Sequence, residues 1–110
     1  MTAASDDLDS AWKMLVGERF GEAVSLSQGV LDRFPDNVSA LACHAMALWK
    51  AGGEIEQSLA EIQRAVHLAP SIASLRHNYA TLLASRGDGN AATVQFRAAL
   101  SIKPEDTVAF

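Results

Sequence analysis

The chain has 110 residues, 49% hydrophobic and 20% charged, with a net charge of −4; this describes one globular domain with a modest core and excludes a disordered chain. Its nine Lys and Arg are scattered from Lys13 to Lys103 without a basic stripe, so no nucleic-acid partner is expected. No apolar run approaches the roughly 18 residues of a membrane span, the acidic opening MTAASDDLDS has no targeting pattern, and Cys43 stands alone, so no internal disulfide can form and a cytoplasmic location is expected.

Alanine and leucine dominate and β-branched residues are sparse, which favours helix. The first segment, SDDLDSAWKMLVGE, is an irregular helix with its stronger apolar stripe at Leu8, Trp12 and Leu15. EAVSLSQGVLDRFP follows, with Ala23, Ser27, Val30 and Leu31 at i, i+4, i+7 and i+8, one helix face, and a stop at Pro35. NVSALACHAMALWKAGG carries the stripe Leu41, His44, Ala45 and Leu48, with Asn37 or Ser39 as N-cap and Gly52-Gly53 as terminator. QSLAEIQRAVHLAP places Ser58, Ile62, Ala65 and Val66 on one face before Pro70. SIASLRHNYATLLASRGDG has Leu75, Tyr79, Leu82 and Leu83, and ends at Gly87 and Gly89. AATVQFRAALSIKP repeats the second-helix face with Ala92, Phe96, Ala99 and Leu100 before Pro104. The tail PEDTVAF lines up with PDNVSAL, which sets Phe110 at the place of Leu41. It reads as the opening of a fourth unit or a capping helix, and so as a domain cut from a longer protein.

Pro35, Pro70 and Pro104 are 35 and 34 residues apart, and the same helix is written before each. The units are 4–37, 38–71 and 72–105, with 106–110 beginning a further element. The third unit carries Tyr79-Ala80, Leu83, Gly87, Ala92, Phe96, Ala99 and Pro104. The second carries Leu41, Ala45, Leu48, Gly52, Ser58, Ala65 and Pro70, with one extra residue placed at Gly52-Gly53. The first keeps Phe20, Ala23, Val30 and Pro35, while Asp7, Ser10, Ala11 and Met14 fall on its first-helix core positions. This pattern resembles the tetratricopeptide repeat over almost the whole chain. The resemblance implies an all-α, right-handed α-solenoid of antiparallel helix pairs, six helices in all, whose first helices line a concave surface and whose second helices form the convex back.

That implied concave face would carry Leu8, Trp12 and Leu15 from the first unit, if the register runs without a gap. From the second it takes Ala42, Met46, Trp49 and Lys50, and from the third His77, Asn78 and Thr81. Both tryptophans of the chain fall in this set. Tryptophan is enriched in binding hot spots and methionine adapts to varied partners. The plainer assignment is that such residues are core, and Trp12 would be core if the first helix were rotated by one residue. Some members of the family hold a partner's terminal carboxylate with Lys, Arg and Asn. The matching positions here are Leu8, Trp12, Cys43, Ser74 and Asn78, of which only Asn78 fits, so an apolar peptide or amphipathic helix is the expected ligand.

No pattern of catalysis emerges. His44, His67 and His77 lack the spacing of a metal site. Cys43 and His44 are adjacent in a helix and point about 100° apart, which is no nucleophile–base pair. GDGN at 87–90 lacks the remaining oxygens of a calcium loop and is a turn. Glu54, Glu56, Glu61 and Arg64 read as a solvated face with i, i+3 pairing, Cys43 as a half-buried small hydrophobe, and His44 as a hydrogen-bonded, partly buried neutral residue. The expected function is a protein-interaction scaffold without cofactor or metal. The alternatives are the N-terminal arm of a larger enzyme, such as a sulfotransferase or glycosyltransferase, and a module that self-associates through its uncapped last helix or its groove.

Overall fold

The computed structural model describes residues 4–102; the expectation for 106–110 lies outside the described residues. The described chain is six helices: α1 (Ala4–Val16), α2 (Phe20–Arg33), α3 (Val38–Lys50), α4 (Ile55–Leu68), α5 (Ala73–Arg86) and α6 (Gly89–Ser101). Each packs against the next in sequence; α1 also touches α3, and α3 touches α5, whereas α2, α4 and α6 make no contact with one another. The first helices of the pairs therefore form one layer and the second helices another, as in a solenoid.

The turn inside each pair is the same hydrogen-bonded loop made three times. The N–H groups of Arg19, Gly53 and Asp88 reach back five residues to the carbonyls of Met14, Leu48 and Leu83, at 2.8, 2.8 and 2.9 Å. The residue before each donor has a left-handed backbone: Glu18 (φ 62°), Gly52 (φ 87°) and Gly87 (φ 96°). This closure satisfies helix-end carbonyls and favours glycine at the left-handed position. It also fixes the register: Met14, Leu48 and Leu83 are equivalent, and so are Ala11, Ala45 and Ala80, all fully buried. The first helix is not rotated relative to the others. The extra residue of the second unit is Glu54, between Gly53 and the start of α4, and not one of the two glycines. Gly53 is held small for another reason, since a Cβ there would meet Leu48 Cδ1 at 2.7 Å.

The second helices stop because Pro35 and Pro70 follow their C-caps Phe34 and Ala69. Asn37, and not Ser39, caps α3, its Oδ1 accepting from the Ala40 N–H at 2.9 Å. Ala23, Ser58 and Ala92 sit buried at the start of each second helix, where a small side chain lets the paired helices approach closely. The core runs from Val30 and Leu31 through Leu41, Leu59 and Ile62 to Leu75, Leu82 and Leu83. At its centre α3 is covered on all sides: Ala40, Leu41, Ala42, Cys43, His44 and Ala45 are consecutive and all buried.

Two sequence expectations are corrected by this placement. Cys43 is fully buried, not half-buried, and desolvation pushes its thiol up to about 12. The ion pairs of α4 run to other elements and not to Glu or Arg three residues along the same helix. Glu56 receives Arg86 from α5 at 3.0 Å, Arg64 pairs with Asp36, and Glu61 turns inward to His44.

Candidate functional site: the concave groove

The register set by the three turns aligns the first helices row by row. Leu8, Ala42 and His77 form one row, Trp12, Met46 and Thr81 the next, and Leu15 and Trp49 a third. These rows cross the open side of the α1–α3–α5 layer, and the positions differ in what they offer. Ala42 is fully buried and presents no surface. Leu8, Trp12, Met46 and Trp49 are half-buried and packed against the core cluster. A side chain that is half in the core and half in solvent is rigid and still available, which suits a recognition surface.

Trp12 is the anchor of this surface. Its indole Nε1–H donates to Ser39 Oγ of α3 at 2.9 Å, so the ring is pinned across the first two units. Beyond it opens a pocket of about 280 Å³ lined by Trp12, Leu15 and Val16 of α1, Phe20 of α2, Met46 and Lys50 of α3, and Asn78 of α5, with Glu18 at the same opening. Trp12 and Asn78 also border a second depression, of about 410 Å³, with Asp9 and Ser74. Five of the expected groove residues (Trp12, Leu15, Met46, Lys50 and Asn78) thus share one pocket.

The remaining expected residues lie elsewhere. Trp49 sits beside this pocket, with the Lys50 ammonium 4.5 Å from the centre of its ring; such a contact adds about 0.5–1 kcal/mol at an exposed site. His77 is exposed and packs edge-on against Phe96 of α6, ring centroids 5.4 Å apart, so it belongs to the end of the stack. Thr81 spends its hydroxyl on its own helix, donating to the His77 carbonyl at 3.0 Å. Sequence reasoning did not find Val16, Glu18 and Phe20. Val16 lies one residue past the expected stripe, at 82% exposure, and Glu18 and Phe20 reach the pocket only because the turn folds them back.

The groove presents apolar surface together with the Lys50 ammonium, the Glu18 carboxylate and the Asn78 amide. Among the described residues no cluster of three or more His, Cys, Asp or Glu could hold a metal, and no helix is long and apolar enough to cross a membrane. The surface can bind by burial and shape.

An α-solenoid of three helix pairs with an open inner face is the class of protein that the fold and the groove define. Its fold is that of solved tetratricopeptide-repeat structures. No protein-family model and no curated protein matches the chain. The second tetratricopeptide domain of Spaghetti (RPAP3), solved with the HSP90 peptide SRMEEVD, superposes with a TM-score of 0.80 at 19% identity, over 91% of this chain and 92% of that one. A point mutant of MamA gives a TM-score of 0.78 at 17% identity, over 91% of this chain and 72% of that one. A double mutant of MamA RS-1 gives 0.81 at 14% identity, over 96% of this chain and 59% of that one. Across such low identities the likeness is one of fold.

Proposed function

We propose that this domain is a protein-interaction scaffold, with no catalysis of its own, which binds an apolar peptide or amphipathic helix in its concave groove. The observation that carries this reading is the pocket between Trp12 and Met46, walled by Leu15 and Val16 and large enough for one bulky side chain. Burying a Leu- or Phe-sized anchor there is worth about 1.5–3 kcal/mol. Helix-in-groove and extended-peptide modes both read such anchors from a fixed surface. The similar fold of Spaghetti carries a bound peptide, which supports a peptide as the ligand class here. A carboxylate clamp is disfavoured: Leu8 and Trp12 are apolar, and Cys43 is fully buried.

The test is selection of displayed 12-residue peptides on the domain, followed by titration of the winners against Met46→Ala/Trp49→Ala. The reading expects winners with a large aliphatic or aromatic anchor, and a loss of about tenfold or more in affinity for the double variant. Winners that bind the double variant unchanged would place the ligand elsewhere.

A further inference from the structure

One depression of the inner face is bordered by polar side chains that the chain itself leaves idle. It is the hollow lined by Asp9 and Trp12 of α1 and by Ser74 and Asn78 of α5. Those two helices do not touch each other, whereas α3 touches both. Cys43, the α3 residue at the repeat position of Asp9 and Asn78, is fully buried. The hollow is therefore the gap between the first and third units, with α3 beneath it. The side chains of Asp9, Ser74 and Asn78 make no hydrogen bond or ion pair with any described residue. For Ser74 the repeat shows why. Ser39, at the same position one unit earlier, accepts from the Trp12 indole. In the next unit Met46 stands at the position of Trp12 and has no donor to give, so Ser74 is left exposed.

The Asp9 carboxylate only accepts, and the Ser74 hydroxyl and the Asn78 amide oxygen accept as well. Asp9 is the one charged residue of this lining. One negative charge among several acceptors is complemented by a donor-rich cation. The guanidinium of arginine offers five N–H donors in a plane and no acceptor. The adjoining pocket has no such excess of charge, because Lys50 and Glu18 both line it. Trp12 and Asn78 border both spaces, so the two are neighbours. Side chains one helical turn apart, or two residues apart in an extended chain, are separated by about 5–7 Å and can enter both together.

We propose that the hollow of Asp9, Ser74 and Asn78 is a subsite for an arginine of the ligand, beside the pocket that takes its apolar anchor. The partner is then a basic amphipathic segment, with the arginine within four residues of the anchor. This inference rests on the groove reading above and adds the charge of the ligand to it.

Displayed 12-residue peptides selected on the domain are the probe, titrated against Asp9→Asn, which removes the charge at an exposed position and keeps the size. Winners should carry an arginine within four residues of the anchor. Replacing that arginine by glutamine should weaken binding to the unaltered domain about tenfold, and binding to Asp9→Asn less than twofold, since the two changes remove the same contact. Added salt should weaken the unaltered domain more than Asp9→Asn. A selection without basic winners overturns the proposal, as does an equal loss on both forms of the domain. Coupling of the arginine to Glu18→Gln instead of Asp9→Asn overturns it too, as do acidic winners that Lys50→Ala releases. Winners that Met46→Ala/Trp49→Ala weakens but Asp9→Asn does not leave the groove reading standing and overturn this subsite alone. Winners indifferent to both variants overturn the two together.

Discussion

The His44 Nδ1–H donates to Glu61 Oε1 at 2.6 Å, joining α3 to α4 across the middle unit. His44 is 2% exposed, so this is a polar pair set into an apolar core. Removing one partner leaves the other unsatisfied, whereas replacing both by apolar groups need not. Glu61→Ala should therefore destabilise the domain by about 1–3 kcal/mol. His44→Leu together with Glu61→Ala should recover much of that loss. Urea titration of the two single variants and the double completes the cycle, and additive losses would deny that the pair acts as a unit.

Ser58 is fully buried and its hydroxyl has no hydrogen-bond partner among the described residues. Alanine occupies the same position in the other two units, as Ala23 and Ala92. Ser58→Ala should raise stability by about 1 kcal/mol, by removing an unsatisfied group and improving helix propensity. A lower urea midpoint would show that the hydroxyl has a partner in solution.

Glu18 holds the left-handed turn position that glycine holds at 52 and 87. A side chain there is strained by roughly 1–2 kcal/mol, partly offset in glycine by greater freedom when unfolded. Glu18→Gly should stabilise by about 0.5–1 kcal/mol, and Gly87→Ala should destabilise by a similar amount. Thermal melts of both variants check the pair of signs.

Burial raises the Cys43 thiol from 9.0 to about 12 in the folded state. The unfolded chain ionises first as pH rises, so this contribution to stability is complete below pH 9 and is lost as pH climbs toward 12. Thiol-specific labelling at pH 8 should follow unfolding, with no fast phase in the native domain. Rapid labelling of the folded protein would contradict the burial.

The helix count, the pairing and the turn glycines were legible because a repeated 34-residue pattern carries its own alignment. So was the cluster of Trp12, Leu15, Met46, Lys50 and Asn78, once the ungapped register of α1 held. Ala42 was misjudged as surface because α3 is enclosed by α1, α2, α4 and α5, so position on a helix face no longer separates inside from outside. The inward turn of Glu61 was hidden because its partner lies on another helix. The turn at Glu18 was hidden because no glycine marks it.

The central claim is that the ligand enters the inner face of the solenoid. The chain has two tryptophans, and their indole N–H signals report that face in a two-dimensional nitrogen–proton spectrum. On titration with a selected apolar peptide, the Trp12 indole and the amides of Leu15, Met46 and Lys50 should shift together, with those of Gln28, Gln63 and Arg97 on the back unchanged. Shifts confined to α2, α4 and α6, with a silent Trp12, would contradict the account.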